Sequence, residues 1–111
     1  MSQRPGQVDT SHPFSVELQG RLANLPHEPG CYLMRDVDGE VFYVGKAIDL
    51  YKRVHSYFSG GDNRPFVSWL ESILHAIDVV TVRNETEALL LEKNLVQKHQ
   101  PRFNVLLRDD K

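Results

Sequence analysis

The chain has 111 residues, a formal net charge of −2 at pH 7 and ordinary fractions of hydrophobic (41%) and charged (25%) residues. This length suits one domain with a single core rather than two, and the slight excess of acid argues against a protein that coats nucleic acid non-specifically. No apolar run reaches the roughly 18 residues that span a bilayer, and Cys31 has no partner for an internal disulfide, so we expect a cytoplasmic protein without a membrane segment.

The first part of the chain predicts a tail followed by a short helix. Residues 1–13 combine Ser, Gln, Gly, Pro and Thr with almost no apolar content. This composition predicts a flexible tail ahead of one folded domain at residues 14–111. A helix is predicted over residues 15–24, and its buried side is expected to comprise Leu18, Leu22 and Val16.

A β-hairpin is the clearest local signal in the sequence. Residues 30–35 and 40–44 are two β-prone runs, and they flank the segment Asp36-Val37-Asp38-Gly39. An Asp-Gly pair between two such runs indicates an antiparallel hairpin. Gly45 is predicted to end the second strand.

The rest of the chain predicts three helices and one more strand. In order, these are a helix at 50–58, a loop at 59–63, a helix at 65–76, a strand at 77–83 and a helix at 85–100. Asp49 can N-cap the first helix, and Asn84 with Glu87 has the spacing of a capping box for the last. The order predicts a small layered α/β fold with a short, mostly antiparallel sheet flanked by helices.

Two helices carry a polar residue on or beside an apolar face. Glu92 lies at the centre of one face of the last helix, and the apolar members of that face are Ala88, Leu89, Leu95 and Val96. Arg53 lies at the edge of the buried side of the first helix after the hairpin. Either side chain has an ordinary structural explanation, since a long charged residue can extend from an apolar stripe to solvent or to an ion-pair partner. The pattern leaves both explanations open.

Tyr32 and Tyr43 are predicted on adjacent strands, where their side chains can meet across the sheet. Packing is the commoner role of such a pair, so this feature alone does not indicate catalysis. Lys46, Lys52 and Arg53 form a basic group in the sequence. A domain that is acidic overall can still present one basic face to phosphates.

These residues match a known family pattern. Gly30-Cys31-Tyr32 followed by Tyr43-Val44-Gly45 resembles the paired tripeptides of the GIY-YIG nuclease family, with Cys31 filling a small apolar position that is usually Ile or Val. The order of the later segments resembles that of the N-terminal domain in the UvrC branch of this family. The resemblance covers residues 25–111. Those segments are Gly45-Lys46-Ala47, Arg53, Ser56-Tyr57-Phe58, residues 85–92 and residues 100–111.

The resemblance implies a GIY-YIG nuclease fold, in which a three-stranded antiparallel sheet is flanked by helices. It implies an endonuclease that hydrolyses one phosphodiester bond in DNA with the help of one divalent cation, Mg²⁺ or Mn²⁺. Tyr43 would be the general base for the attacking water, Tyr32 would support it through hydrogen bonding, and Arg53 would contact the scissile phosphate. The carboxylate for the metal would be Glu92, and further active-site or supporting positions would be Lys46, Tyr57 and Asn104.

A base role for Tyr43 requires a shifted pKa. The reference pKa of tyrosine is about 10, so the phenol is a poor base unless cationic neighbours lower that value. We expect Lys46 and the metal to do so.

The resemblance also implies a pathway and partners. The UvrC branch acts in bacterial nucleotide excision repair, which implies incision on the 3′ side of a lesion in damaged double-stranded DNA, within the DNA-damage (SOS) response. UvrB would be the partner through the pre-incision complex, although the main UvrB-binding region lies outside the matched residues, and a monomer is the default.

Two alternatives stay open: a stand-alone GIY-YIG nuclease outside that pathway, and a non-catalytic DNA-binding or protein-binding module. The Arg-Asp-Asp-Lys ending weighs against the first, and the intact set of Tyr43, Arg53, Glu92 and Asn104 weighs against the second.

Overall fold

A computed structural model describes residues 14–58 and 64–106 of the chain. These residues form eight elements, which are α1 (Val16–Ala23), β1 (Gly30–Arg35), β2 (Val41–Ala47), α2 (Leu50–Ser56), α3 (Arg64–Ile73), β3 (Ala76–Thr81), α4 (Glu85–His99) and α5 (Arg102–Leu106). The predicted tail at 1–13, the predicted loop at 59–63 and the Arg-Asp-Asp-Lys ending lie outside the described residues. Within the two described ranges, no helix combines the length and apolar content needed to cross a membrane.

The three strands form one antiparallel sheet in the order β2-β1-β3, which confirms the predicted fold class. The predicted hairpin is also confirmed. Gly39 adopts φ +84 in its turn and donates its N–H to the Asp36 carbonyl at 2.9 Å, a backbone angle that glycine adopts without steric cost.

The prediction that Gly45 ends the second strand is wrong. β2 continues to Ala47, and Gly45 pairs with Tyr32 inside the ladder. A strand can pass through a glycine when another group needs the space that a Cβ would fill. That group is identified below.

Side-chain caps begin three of the helices. Ser15 accepts a hydrogen bond from the Leu18 N–H, Asp49 from Lys52 N–H, and Asn84 from Glu87 N–H. These bonds satisfy donors that the first turn of a helix leaves without partners. The helix α5 follows Pro101 and had no sequence signal of its own.

The core is divided between the two faces of the sheet. On one face, α1, α2 and α3 enclose most of the buried side chains, including Tyr32, Met34 and Phe42. On the other, Leu33, Val41 and Val44 form a smaller cluster against Leu95 and Val96 of α4. We call these the α2 side and the α4 side of the sheet.

Two residues predicted to be buried are exposed. Val16 is 49% exposed, because two helical positions separate it by about 200° from Leu18 on the buried side of α1. Leu89 is 45% exposed, because the part of α4 that touches the sheet is centred on Ala88 and turns Leu89 away by about 100°.

Candidate active site

Three tyrosines come together on the α2 side of the sheet. Tyr32 is fully buried, and its ring centroid lies 6.3 Å from that of Tyr43 and 6.2 Å from that of Tyr57. The hydroxyls of Tyr32 and Tyr57 share a hydrogen bond. The predicted meeting of Tyr32 and Tyr43 across the hairpin is therefore confirmed, and α2 brings Tyr57 into the same cluster.

Gly45 makes room for this cluster. A Cβ built on Gly45 would lie 2.2 Å from the Tyr32 hydroxyl oxygen and 2.3 Å from the ring carbon that carries it. Any side chain at this position would therefore displace the tyrosine. The glycine is needed for the close approach of Tyr32 to the β2 backbone.

Tyr32 keeps its proton at neutral pH. Burial raises the pKa of Tyr32 well above its usual value, and the neighbouring Tyr57 and Tyr43 raise it further, whereas Arg53 lowers it. Burial dominates because an ionised phenolate loses its hydration in the core. Tyr32 can therefore donate a hydrogen bond but cannot act as a base.

Arg53 lies beside the same cluster at the surface of α2. Its guanidinium carbon is 5.6 Å from the centre of the Tyr57 ring. Partial burial lowers the pKa of Arg53, but attraction to the oxygens of Tyr57, Tyr32 and Tyr43 more than compensates, and the net shift is upward. The structure thus places a permanent positive charge next to the three hydroxyls.

Lys46 and Glu92 lie on the α4 side. Side chains alternate along β2, so Lys46 points away from the tyrosines and pairs in register with Cys31, whose thiol donates to the Ala88 carbonyl at 3.3 Å. The pKa of Cys31 is raised to about 11, mainly by burial and also by the charge of Glu92, while Lys46 acts in the opposite direction. Both charged side chains therefore surround the same buried thiol. The sequence predicts Lys46 as the cation beside Tyr43. In the structure the cation near Tyr43 is Arg53, whose pKa is raised in part by Tyr43.

An open groove of about 760 Å³ joins the two sides at the end of β2. Its walls come from β2, the short connection to α2, α2 itself and the first turns of α4. The lining residues are Lys46, Ala47, Ile48, Asp49, Lys52, Arg53, Ser56, Glu85 and Ala88. Glu92 follows on the same face of α4 as Glu85 and Ala88, since residues three, four and seven apart share a helix face.

Several groove residues were not predicted as site residues. Lys52, Asp49 and Ser56 come from α2 or its cap, and Glu85 comes from the first turn of α4. The short connection between β2 and α2 was the sequence signal that could have found Asp49 and Lys52, because such a connection must run past the end of the strand.

Asn104 has a supporting position. Its side-chain oxygen accepts from the Val44 N–H and its amide nitrogen donates to the Val44 carbonyl, both at 2.8 Å. Because β2 is an edge strand, one row of its backbone groups has no strand partner, and Asn104 supplies one. Phe103 packs on Phe42 and Trp69, which fixes α5 in this place. Asn104 thus holds the residue that follows Tyr43.

The side chains that could bind a metal near the groove suit a hydrated cation rather than an enclosed metal site. Within residues 14–58 and 64–106, no three His, Cys, Asp or Glu side chains form a metal-binding group. Glu92 offers one partly exposed carboxylate near the groove. Mg²⁺ is commonly held by one or two carboxylates and keeps several waters, so Glu92 fits such an ion and also Mn²⁺.

Sequence comparison relates the chain to one family. Residues 28–105 match the UvrC-like GIY-YIG domain. The chain is 56% identical over 100 residues to UvrABC system protein C of Anaeromyxobacter dehalogenans, covering 88% of this chain and 14% of that protein. It is 51% identical over 90 residues to the same protein of Methanosarcina acetivorans, covering 81% of this chain and 17% of that protein. The chain therefore spans a small part of the length of these relatives.

Structural comparison gives a consistent result. The chain resembles the GIY-YIG N-terminal endonuclease domain of UvrC from Thermotoga maritima bound to magnesium, its catalytic divalent cation, with a TM-score of 0.68 and 31% identity over 79% of this chain and 96% of that one. Point mutants of the same domain, bound to the catalytic cation, give the same fold. One replaces a tyrosine by phenylalanine (TM-score 0.68, 30% identity, 79% and 94% covered), and another an asparagine by alanine (TM-score 0.67, 30% identity, 78% and 93% covered).

Proposed function

The chain belongs to the UvrC-like GIY-YIG domain family, and from this premise we propose that it is a divalent-metal-dependent endonuclease domain that hydrolyses one phosphodiester bond on the 3′ side of a DNA lesion. One observation carries the assignment of residues. Arg53 lines the groove and lies beside the tyrosine cluster, and Glu92 follows one helical turn after Ala88, which lines the groove from α4. A phosphate bound in that groove would contact the Arg53 guanidinium and have a phenol and a carboxylate close by, the three groups that the reaction needs.

Tyr43 is the base in this proposal. Tyr32 is excluded, since burial keeps it protonated, and the Tyr57 hydroxyl is engaged in a hydrogen bond with the hydroxyl of Tyr32. Tyr43 is half-buried on the edge strand, beside the positive charge of Arg53. A neighbouring cation favours the ionised form of a phenol, so Arg53 assists removal of the proton from the attacking water by Tyr43.

Arg53 also acts on the phosphate. A guanidinium presents a planar fork that matches two phosphoryl oxygens. Negative charge increases on those oxygens as water attacks, and a fixed donor then binds more strongly than in the ground state. The contact of Arg53 with the Tyr57 ring holds the fork in place.

Glu92 would hold the cation, which when bound supplies charge neutralisation at the phosphate and the leaving 3′ oxygen. Glu92 is suited to this because it is partly exposed and next to the groove. Lys46 adds positive charge to the groove floor, while Tyr32, Tyr57 and Asn104 position Tyr43 through the ring contacts and through Val44.

The similar structures support this selection of residues. The Thermotoga maritima domains include three separate mutants with a tyrosine replaced by phenylalanine and one with an asparagine replaced by alanine. The site of this chain likewise has three clustered tyrosines and one asparagine beside them. Magnesium is the catalytic cation of that domain, which supports Mg²⁺ as the ion for Glu92.

The wider role is also a proposal, because the chain spans only 14% of its relative from Anaeromyxobacter dehalogenans. Its relatives are the C component of the UvrABC system, which supports nucleotide excision repair, damaged double-stranded DNA as substrate and UvrB as partner. This reaction would take place in the cytoplasm, with the chain as a monomer. The identity of 56% to these proteins favours this pathway over a stand-alone nuclease, and the complete set of site residues favours an enzyme over a binding module.

A nicking assay tests the proposal. Supercoiled plasmid is incubated with the chain and Mn²⁺, and a lesion-containing duplex bound by UvrB is supplied if the free chain is silent. We expect nicks with the wild type and none with Tyr43→Phe or Glu92→Gln, while circular dichroism shows both variants folded. Full activity in either variant would overturn the assigned mechanism. Silence of the wild type with the UvrB–DNA complex would overturn the proposed activity.

A further inference from the structure

The apolar side chain of Ile48 is exposed within a charged groove. Ile48 is 68% exposed and lines the groove together with Lys46, Lys52 and Arg53. Single exposed apolar residues are common on protein surfaces and need no explanation by themselves. Ile48 differs from exposed residues such as Val37, 74% exposed in the hairpin turn, because the groove is where the substrate is expected to lie.

The backbone around Ile48 is well fixed, so its exposure is not that of a loose loop. Ala47 before it pairs with Gly30 in the sheet. Asp49 after it caps α2, and the Leu50 N–H donates to the Glu28 carbonyl at 3.0 Å. The connection between β2 and α2 therefore presents Ile48 in one place.

The charges of the groove indicate what lies against Ile48. Lys46 and Lys52 flank it in sequence and Arg53 lies close by, whereas the carboxylate of Asp49 is engaged by the Lys52 N–H and by the His27 ring at 3.0 Å. The three cations outnumber the two carboxylates that line the groove, Asp49 and Glu85, and this net positive charge suits a run of phosphates. Along a DNA strand the apolar part between successive phosphates is the deoxyribose, so an apolar side chain among the cations meets the sugar.

We propose that Ile48 packs against a deoxyribose next to the scissile phosphate and selects DNA over RNA at that nucleotide. The inference rests on the proposed function, since it takes DNA as the occupant of the groove. The 2′ carbon of deoxyribose carries only hydrogen and can be covered by a methyl group. A ribose would press its 2′-hydroxyl against Ile48, where the hydroxyl loses water without gaining a partner.

The first experiment measures binding of a labelled duplex to the chain by fluorescence anisotropy in Mg²⁺. Ile48→Ser should raise the dissociation constant roughly ten-fold, which corresponds to the partial loss of one buried aliphatic side chain. Val37→Ser is the matched control, because Val37 is equally exposed but lies at the opposite end of β2, and it should bind as the wild type does. Neither change should move the unfolding midpoint, since both side chains are mostly in solvent.

The second experiment uses duplexes that carry a single ribonucleotide at successive positions around the cleavage site. At one position the ribonucleotide should weaken binding of the wild type by roughly ten-fold but leave Ile48→Ser unaffected. Equal binding and equal discrimination by Ile48→Ser and the wild type would overturn the inference. Cleavage of the same duplexes reports separately on the proposed function: a wild type that binds but does not cut contradicts that function alone, and one that does not bind contradicts both.

Discussion

On the α2 side of the sheet the polar groups are buried against one another, whereas on the α4 side they stand at the border with solvent. Tyr32 is fully buried, and its hydroxyl is paired with Tyr57 beneath Arg53. Glu92 and Lys46 are both partly exposed, with only the thiol of Cys31 buried between them. Packing in the core therefore fixes the tyrosines on the α2 side. On the α4 side the Glu92 carboxylate lies partly exposed, where a hydrated cation can reach it.

This difference makes the two sides sensitive to different changes. Substitution on the α2 side should change the rate without changing the metal requirement, because in the proposed mechanism its groups act on the attacking water and the phosphate. Substitution of Glu92 should change the metal requirement. Substitution of Asn104, which supports β2 through Val44, should act through the stability of the fold and the position of Tyr43.

Substitution of Arg53 is expected to have the largest effect on cleavage among the variants that distinguish the α2 side from the α4 side. Arg53→Ala removes the donor to the phosphate and the cation beside Tyr43, so cleavage should slow by about 10²- to 10³-fold. Arg53→Lys should recover only part of this, since an ammonium lacks the planar fork. Single-turnover cleavage measures both.

Arg21→Ala is the control for this comparison, because Arg21 is an exposed arginine that pairs with Asp78 and does not line the groove. It should cut at the wild-type rate. An Arg53→Ala variant as active as Arg21→Ala would remove Arg53 from the mechanism.

Substitution of Asn104 is expected to have an intermediate effect, mainly on the free energy of unfolding. Asn104→Ala removes both hydrogen bonds to Val44 and leaves part of the β2 edge without a partner, which should cost about 2 kcal/mol of unfolding free energy. Urea denaturation measures this loss, and cleavage should slow as Tyr43 loses its support. Asn24→Ala is a comparison, because the Asn24 side chain makes one exposed bond to the Gly20 carbonyl. Wild-type stability together with strongly reduced cleavage would instead indicate a direct role for Asn104 in the reaction.

Cys31 gives the smallest effect and one that depends on pH. Its pKa of about 11 in the folded protein lies above 9.0, so the folded state binds the thiol proton more tightly than the unfolded state does. Stability from this group is complete below pH 9 and is lost as pH rises toward 11, and the loss at pH 10 should be on the order of 1 kcal/mol. Cys31→Ala should flatten that part of the stability–pH profile, and an unchanged slope would contradict the buried neutral thiol.

Much of the fold was predictable because its signals are local. The Asp-Gly turn with Gly39 and the caps at Asp49 and Asn84 each depend on a few neighbouring residues, and all formed as expected. Gly45 was misread because the space it leaves is filled by the ring of Tyr32, which only the folded hairpin brings there. The exposure of Leu89 depends on how α4 is rotated against the sheet, which the apolar pattern fixes only approximately.

The sequence named the members of the candidate site but not their arrangement. Periodicity marked Glu92 and, at the edge of a buried face, Arg53, whereas the role of Tyr43 came from the family resemblance alone. The pairing of Arg53 rather than Lys46 with the tyrosines follows from the packing of α2 on the sheet, a contact between elements that the sequence does not encode locally. The groove as a whole, and with it the exposure of Ile48, depends on how β2, α2 and α4 come together, which the short connection after β2 signals only in part.

The most direct test of the division between the two sides is the Mn²⁺ dependence of single-turnover cleavage on one lesion-containing duplex. For Tyr43→Phe, we expect a rate lower by about 10²-fold or more at saturating Mn²⁺ and an unchanged half-saturating Mn²⁺ concentration. For Glu92→Gln, we expect the half-saturating Mn²⁺ concentration to rise by about 10²-fold or more, since the carboxylate proposed to hold the metal is lost. A Glu92→Gln variant with the metal dependence of the wild type would contradict the account.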